Sequence, residues 1–511
     1  PLLLVDGYNV IGAWSIPHEE HLTIQEARAL VRAARAAQAE FSQLGQERID
    51  AVVKAVSEAA AAQAEALGVL AHEETGYGKP QDKKIKTLLA SEKVYAAIKD
   101  MKTVGILRED TVNRITEIAV PVGVIAGIIP STNPTSTVIY KSLISLKAGN
   151  AIVFTPHPSA KKCIGRTVEI IKEALHHCGV STDLVSCISI PTIEGSAELM
   201  KIADLILATG GPGMVKAAYS SGTPALGVGA GNVPAYIERS ANIEDAVAKI
   251  MASKTFDNGT ICASEQSIVT ESVIAAQVKR ALIAQGGFFL EGENLTRVKA
   301  VMERGNGSMN PAIVGRDAMT IARIAGIEVP AGTRLLISDE QGVGAKFPFS
   351  KEKLTALLGF YVVNDWHQAC ELCHALLHNC GIGHSLAIHS NNEDVIREFG
   401  LKKPVSRILV NTPSTQGGVG LTTALFPSFT LGCGAVGGSA TSDNVTPMNL
   451  LNIRRVAYDL GSSMCRHHDY HAEAPKSCCS AASSCANAAG TSSIDINAIT
   501  SLIVAELKKV M

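Results

Sequence analysis

Between residues 118 and 209, short apolar segments alternate with segments of helical periodicity. The apolar segments are 119–129, 151–155, 184–190 and 205–209, and the helical ones include 140–146 and 160–177. Strands that alternate with helices along a chain pair in parallel, so this stretch predicts a doubly wound α/β sheet. A sheet of this kind binds nucleotides at the carboxyl edge of its strands.

Two glycine-bearing turns follow this alternation. The strand at 205–209 leads through Gly210 and Gly211 into a short helix. Glycines let the backbone approach a phosphate, and the amino terminus of a helix attracts negative charge, so the turn is a candidate for cofactor binding. It lacks the GxGxxG pattern, and a plain strand-to-helix turn stays an alternative. The second turn contains Gly229 and comes shortly before Cys262.

Cys262 is the candidate nucleophile. It lies between a polar turn at 257–259 and a segment at 267–270 that predicts a strand. A turn can hold a thiol at the rim of a cleft, where exposure and nearby backbone N–H groups favour the reactive thiolate. A buried structural cysteine is the alternative, because free cysteines are among the most buried residues. The local sequence alone does not decide between the two.

The composition excludes several classes of protein. The chain has 511 residues, of which 46% are hydrophobic, so two or three globular domains are expected. A net charge of −2 without a basic face argues against a nucleic-acid partner. No apolar run reaches the roughly 18 residues of a membrane span. Twelve cysteines without an export signal predict free thiols in a reducing cytoplasm.

The ends of the chain differ from the α/β part. Residues 1–14 form an extension without a functional interpretation. Residues 23–67 are alanine-rich with helical periodicity, and more helix is expected up to about residue 102. Helical character is also expected where the chain reaches Ala457. Residues 461–493 are a low-complexity linker, and 494–511 predict an amphipathic terminal helix.

Six motifs together resemble the CoA-acylating aldehyde dehydrogenases. They are IIPSTNP (128–134), ATGGPGMVKAAYSSG (208–222), FDNGTICASEQS (256–267), GIGHSLAIHS (381–390), NTPSTQGGVG (411–420) and LGCGAVGGSATSDNVTP (431–447). The resemblance covers residues 24 to 460 and is closest to the aldehyde dehydrogenase half of bifunctional aldehyde–alcohol dehydrogenases. CoA-acylating succinate-semialdehyde and sulfoacetaldehyde dehydrogenases are similar too.

This resemblance implies the aldehyde dehydrogenase fold. That fold has a Rossmann-like cofactor domain, a catalytic α/β domain and a small β extension used in oligomers. The chain would then divide into a helical front end and NAD(P)-binding domain at 15–255, completed by 425–460, and a catalytic domain at 256–424. A homodimer or homotetramer is expected.

The resemblance also implies a reaction. Cys262 attacks an aldehyde, a hydride passes to NAD or NADP, and coenzyme A takes the acyl group from the resulting thioester. Asn133 or Thr132, together with the backbone N–H of Cys262, would bind the oxyanion. Acetaldehyde is the first candidate substrate, with propionaldehyde, sulfoacetaldehyde and succinate semialdehyde as alternatives. A non-catalytic cargo or scaffold protein is the rival of another class.

Further residues are assigned to the cofactor on the same basis. Thr155, Pro156 and His157 match the region of the adenosine ribose. Glu352, in Lys351-Glu352-Lys353-Leu354, matches the residue that holds the nicotinamide ribose. The residues expected around the pyrophosphate and the nicotinamide are Thr209, Gly210, Gly211, Met214 and Gly229.

Val228 and His384 bear on the acceptor of the acyl group. Val228 stands where hydrolytic relatives carry a glutamate that activates water. Valine cannot take a proton, so the thioester is expected to persist until coenzyme A arrives. His384 matches the glycine-flanked acid/base histidine of the similar proteins, with a packed strand-end histidine as the alternative.

The segment 494–511 resembles the encapsulation peptides that deliver enzymes into bacterial microcompartments. A shell or cargo partner and a place in the compartment lumen are therefore expected, with an oligomer-contact helix or a frayed tail as alternatives. The spacing Cys370-x2-Cys373-His374-x3-His378-x-Cys380 resembles metal ligands but falls on one predicted helix. The histidines and cysteines of the linker have no fixed geometry. No metal site is expected.

Overall fold

The computed structural model describes residues 17–305 and 307–460. The chain before the first strand is helical, as its periodicity predicted. Its α-helices there are α1 (Pro17–Phe41), α2 (Gln46–Ala62), α3 (Ala64–Thr75), α4 (Pro80–Leu88) and α5 (Val94–Ile98). In α2 the apolar residues Ile49, Val52, Val53 and Val56 recur at helical spacing, and all four are buried.

The apolar run 119–129 is divided between two sheets. Strands β1 (Gly105–Asp110) and β2 (Ile115–Pro121) form an antiparallel hairpin, and β3 (Val124–Ile128) belongs to a parallel sheet. The two strands within this run, β2 and β3, therefore do not pair with each other. Gly123 makes the change of direction possible, because its φ is +124° and a Cβ atom there would lie 2.4 Å from the Asp204 carboxylate.

β3 is the centre of a five-stranded parallel sheet. The other strands are β4 (Ala151–Thr155), β5 (Val185–Cys187), β6 (Leu205–Thr209) and β7 (Ala225–Val228), joined by helices α6 (Pro134–Lys147), α7 (Lys161–His177), α8 (Ile193–Ile202) and α9 (Pro212–Ser220). The order β5-β4-β3-β6-β7 reverses its direction between β3 and β6. The predicted doubly wound sheet is thus confirmed, and this reversal is where such sheets bind ligands.

A second parallel sheet has seven strands, in the order β10-β11-β12-β9-β8-β13-β14. They are β8 (Val233–Ile237), β9 (Glu265–Glu271), β10 (Gly287–Phe289), β11 (Leu335–Asp339), β12 (Leu357–Val363), β13 (Gly383–His389) and β14 (Val405–Val410). The helices are α10 (Ile243–Thr255), α11 (Ser272–Ala284), α12 (Gly292–Met302), α13 (Ala318–Ala325), α14 (Trp366–Asn379), α15 (Glu393–Lys402) and α16 (Ser414–Gly418). Separate apolar clusters, one containing Leu336 and the other Leu386, form around its strands.

The helical character expected at Ala457 is wrong. Residues Leu451–Ala457 form β15, which pairs antiparallel with β2 and completes a three-stranded sheet, β1-β2-β15. Its partner lies more than 300 residues earlier, so local periodicity does not report the pairing. This small sheet is where the expected β extension would be.

Several expectations concern parts of the chain beyond these elements. The extension 1–14, the linker 461–493 and the segment 494–511 lie outside the described residues. Within 17–305 and 307–460, no helix is both long and apolar enough to span a membrane. The same residues contain no group of three or more His, Cys, Asp or Glu side chains arranged to hold a metal ion.

Candidate active site

Four segments meet between the carboxyl edge of the five-stranded sheet and the amino edge of the seven-stranded sheet. β7 ends at Val228, and the loop to β8 contains Gly231. Cys262 comes shortly before β9, Glu352 before β12, and His384 is the second residue of β13. Because β12, β9, β8 and β13 are neighbours in the sheet, their amino ends lie side by side.

Gly231 is the point at which three predicted site residues converge. A Cβ atom on Gly231 would lie 1.9 Å from the carbonyl oxygen of Cys262 and 3.2 Å from Cγ of His384. The backbone N–H of Gly231 donates to Oε1 of Glu352 at 2.9 Å. The structure therefore places Cys262, His384 and Glu352 around one glycine, although 153 residues separate Gly231 from His384.

The surroundings of Cys262 differ from the expected exposed turn. Residues Phe256–Gly259 form a 3₁₀ turn whose Asp257, Asn258 and Gly259 are buried, and Cys262 itself is partly buried. Burial raises the pKa of the Cys262 thiol to about 12, and the negative charge of Glu352 acts in the same direction. The expectation that exposure would favour the thiolate is wrong, because desolvation favours the neutral thiol.

Glu352 is a partly buried carboxyl group. Burial raises its pKa to about 7, although the hydrogen bond from Gly231 and the charges of Lys254 and Lys353 oppose this shift. Near neutral pH, Glu352 is therefore present in both protonated and ionised forms. A carboxylate of this kind can accept hydrogen bonds from ribose hydroxyls.

His384 is fully buried, and Nδ1 lies 3.0 Å from Oγ of Ser385. Burial, assisted by the positive charge of Arg407, lowers the pKa of His384 to about 3, so the ring is neutral at physiological pH. Among the described residues, Nε2 has no hydrogen-bond partner. A buried imidazole nitrogen without a partner is available to a ligand.

Arg407, on β14, forms hydrogen bonds to the backbone of His384 and to the side chain of Ser385. Its Nε donates to Oγ of Ser385 at 3.3 Å, and Nη2 donates to the backbone oxygens of His384 and Gly432. Nη1 donates to the backbone oxygen of Ser442 and to Oδ1 of Asn444. All five guanidinium N–H groups are thus directed at protein acceptors, and the buried charge of Arg407 is satisfied without a carboxylate.

Asn133 and Thr132 lie at the amino terminus of α6. The Asn133 amide oxygen accepts a hydrogen bond from Nζ of Lys86 at 2.7 Å, and its Nδ2 donates to Oγ1 of Thr132 at 3.2 Å. Nζ of Lys86 also donates to the backbone oxygen and to Oγ1 of Thr260, both at 3.3 Å. Because Thr260 precedes Cys262 by two residues, one ammonium group links the Asn133 amide to the nucleophile's segment.

The glycine turns leave room for a cofactor. A Cβ atom on Gly211 or Gly229 would meet nothing within 4 Å, and one on Gly210 would have Cβ of Met214 at 3.9 Å as its nearest neighbour. Gly211 precedes α9, whose first turn has no side-chain cap. Open glycines before an uncapped helix amino terminus suit a pyrophosphate, so these residues fit a dinucleotide.

The remaining candidates follow the ends of β4 and β6. The Thr155 hydroxyl is 2.7 Å from that of Ser196, and the Thr209 hydroxyl is 3.4 Å from that of Thr430. Pro156 and His157 continue from β4, and Nδ1 of His157 accepts the backbone N–H of Ser159 at 3.2 Å. These residues share the carboxyl edge of the sheet with Gly210, but the Thr155 hydroxyl is already engaged by protein.

Sequence reasoning missed the charged groups that surround the site. Lys86 and Asp257 are buried behind Asn133, and Arg407 is buried behind His384. The motif PQDKKIKTL of α4 has the appearance of a solvated face, so it gives no sign that Lys86 is buried. The one sequence signal that could have identified Arg407 is an arginine directly before the apolar run 408–410, because a buried arginine needs partners.

Comparison with known proteins identifies a matching family and several similar proteins. The aldehyde dehydrogenase family profile matches residues 15–287. The bifunctional aldehyde-alcohol dehydrogenase of Escherichia coli (strain K12) is 45% identical over 441 residues, covering 85% of this chain and 49% of the relative. The chain thus spans about half the length of the first curated relatives it matches.

Solved structures agree with the fold described above. An acetylating aldehyde dehydrogenase from Geobacillus thermoglucosidasius is 50% identical, with a TM-score of 0.86, over 87% of this chain and 99% of the other. A propionaldehyde dehydrogenase from the fucose utilisation bacterial microcompartment of Clostridium phytofermentans is 28% identical, with a TM-score of 0.77, over 84% and 97%. The predicted fold class is confirmed by this likeness.

Proposed function

The chain belongs to the aldehyde dehydrogenase family, and on this premise we propose that it oxidises a short-chain aldehyde to its acyl-CoA. NAD or NADP would accept the hydride, and coenzyme A would accept the acyl group from a thioester on Cys262. The observation that carries the proposal is the convergence of Cys262, His384 and Glu352 around Gly231.

The first step is attack of the Cys262 sulfur on the aldehyde carbon. A thiol with a pKa of about 12 is almost entirely protonated at neutral pH, so its ionisation has to be coupled to binding. When bound, an oxidised nicotinamide supplies the hydride acceptor and a positive charge that favours the thiolate. The chain's contribution is to hold the backbone of Cys262 against Gly231 and to link its segment to the Asn133 amide through Lys86.

The negative charge that develops on the aldehyde oxygen needs hydrogen-bond donors. We assign this role to Nδ2 of Asn133 and the backbone N–H of Cys262. Of the two residues considered, we choose Asn133, because its amide keeps a second N–H for the substrate after the first has donated to Oγ1 of Thr132. Thr132 would therefore orient the amide.

Transfer of the acyl group requires coenzyme A to lose its thiol proton. We propose that Nε2 of His384 accepts it as the sulfur attacks the thioester, because a ring with a pKa of about 3 does not hold the proton beforehand. The ring proton stays on Nδ1 and is donated to the Ser385 oxygen. Val228 supports coenzyme A over water as the acceptor. It is buried at the end of β7, and its hydrocarbon side chain cannot activate water.

An uncharged aldehyde suits the site better than an anionic one. Recognition of sulfoacetaldehyde or succinate semialdehyde calls for a cation near Cys262. Arg407 is a cation whose charge acts on Cys262, but its five N–H groups are already directed at protein acceptors. Acetaldehyde is therefore our first candidate, and propionaldehyde is the second.

Assembly and location form a separate part of the proposal. We propose a homo-oligomer that uses the β1-β2-β15 sheet, and delivery into a microcompartment lumen through residues 494–511. Support for the second point comes from the helical spacing of apolar residues in that segment and from the microcompartment relative of Clostridium phytofermentans.

A panel of aldehydes assayed with NAD+ and NADP+, with and without coenzyme A, tests the activity. We expect formation of reduced cofactor and acyl-CoA with acetaldehyde or propionaldehyde, dependent on coenzyme A. A clear preference for an anionic aldehyde would contradict the substrate assignment. Failure of every aldehyde to react would contradict the proposed reaction itself.

A further inference from the structure

Three charged side chains are buried behind Asn133. Lys83, Lys86 and Asp257 have exposed side-chain fractions of 3%, 2% and 0%. Both lysines bind the same carboxylate oxygen, Oδ2 of Asp257, at 3.1 Å for Lys83 and at a shorter distance for Lys86. Burying two cations against one carboxylate is costly, so a structural ion pair alone does not account for the second lysine.

The contacts of the two lysines differ. Lys83 donates to the backbone oxygen of Thr132 at 3.3 Å and makes no hydrogen bond to the Asn133 amide. Lys86 donates to Oδ1 of Asn133 and to both oxygens of Thr260. Of the two lysines, Lys86 alone connects the Asp257 carboxylate with the Asn133 side chain.

Asn133 breaks a local rule of helix structure. It occupies the N-cap of α6, where an asparagine oxygen ordinarily accepts a backbone N–H of the first turn, but it makes no capping hydrogen bond. That oxygen accepts a hydrogen bond from Nζ of Lys86 instead. One N–H of the amide then reaches Thr132, and within the described residues the other has no acceptor.

Asp257 is fixed from several sides. Its Oδ1 accepts a hydrogen bond from the backbone N–H of Lys79 at 2.7 Å, and its Oδ2 accepts one from the hydroxyl of Thr260 at 2.8 Å. A Cβ atom on Gly78 would lie 1.7 Å from Oδ1, so only glycine leaves space for this carboxylate. An anchor held in this way also fixes the ammonium group that it binds.

From this geometry we propose that Lys86, anchored by Asp257, is a positioning residue for Asn133. It binds the amide oxygen, withdraws it from capping α6 and thereby turns the free N–H of the amide towards the substrate oxygen above Cys262. This inference rests on the proposed function, in which Asn133 binds the oxyanion.

A double-mutant cycle tests the coupling between the two residues. We expect Asn133→Ala to lower kcat for aldehyde oxidation by about 10²–10³-fold, the usual effect of removing an oxyanion donor. Lys86→Met should cause a loss of the same order. The double variant should then fall no further than Asn133→Ala alone, because Lys86 acts through the amide.

Lys83→Met is the matched control. It removes the other cation from Asp257 but leaves the Asn133 amide bound, so its effect on kcat should be smaller and should add to that of Asn133→Ala. Additive losses for Lys86→Met would overturn the proposal, as would an unchanged kcat with a lower melting temperature. If Lys86→Met does not fold, Lys86→Gln, which removes the charge and shortens the side chain, takes its place in the same cycle.

A crystal structure of the Lys86 variant separates this inference from the proposed function. Released from the ammonium group, Oδ1 of Asn133 should rotate to cap α6 and accept the backbone N–H of Thr135 or Ser136. An unmoved amide would overturn the positioning role whatever the activity. If the amide rotates but Asn133→Ala keeps full activity, the oxyanion assignment fails and the positioning role stands.

Discussion

Replacing Gly231 by alanine tests the geometry of the site with a single methyl group. The new Cβ would lie 1.9 Å from the Cys262 carbonyl oxygen, about 1.5 Å closer than ordinary van der Waals contact, and 3.2 Å from the His384 ring. The backbone of Cys262 has to move by a similar distance, because the contact is with backbone and not with a flexible side chain. A displacement of about 1 Å at a reacting group can cost ~10²-fold in rate.

We therefore expect Gly231→Ala to lower kcat by about 10²-fold or more. The measurement is steady-state formation of reduced cofactor, with folding checked by circular dichroism and melting temperature. Gly165→Ala is the matched control, because a Cβ atom there meets nothing within 4 Å and the residue lies within α7, far from the site in sequence. That change should leave kcat unaltered and, by favouring the helix, raise stability by ~0.5–1 kcal/mol. Wild-type kcat in a folded Gly231→Ala variant would refute the convergence at Gly231.

Two further predictions concern the thiol and the tail. Without cofactor, the rate at which iodoacetamide alkylates Cys262, followed by peptide mass spectrometry, should be low at pH 8 and rise about tenfold per pH unit to beyond pH 10. The reason is that only the thiolate reacts and the pKa of the thiol is about 12. A rate that reaches a plateau below pH 9 would show that the thiol ionises readily. Deleting residues 490–511 should leave specific activity nearly unchanged but release the enzyme from shell-associated particles, measured by co-purification; retention on shells, or loss of the folded catalytic part, would contradict delivery through this segment.

The elements that the sequence predicted well have local causes. β4 and β6 are short runs between helical segments, apolar up to a final threonine, and their predicted limits agree with the structure. β15 was missed because most of its residues are exposed, so it lacks a buried apolar face, and it pairs with β2, which lies more than 300 residues earlier. A strand that buries its own apolar residues can therefore be predicted from a local pattern, whereas a strand that depends on a distant partner cannot.

The same difference between local patterns and long-range contacts applies to the candidate site. The positions of Cys262 and His384 followed from glycine-flanked motifs, and the structure brings both to Gly231. The protonation state of Cys262 was expected wrongly, because it depends on burial and on the charge of Glu352, which a local pattern does not contain. Lys86 was missed for a related reason, since its burial depends on a turn 171 residues away.

The central claim is that a thioester on Cys262 persists until coenzyme A arrives, and rapid mixing tests it most directly. Enzyme, aldehyde and oxidised cofactor are mixed without coenzyme A, and reduced cofactor is followed against the concentration of sites, with Cys262→Ala as the control. The account predicts a burst of at most one reduced cofactor per site, then no further release until coenzyme A is added, and no burst from the variant. Steady release of free acid without coenzyme A, at a rate comparable to that with it, would contradict the account, because water would then be the acceptor despite Val228.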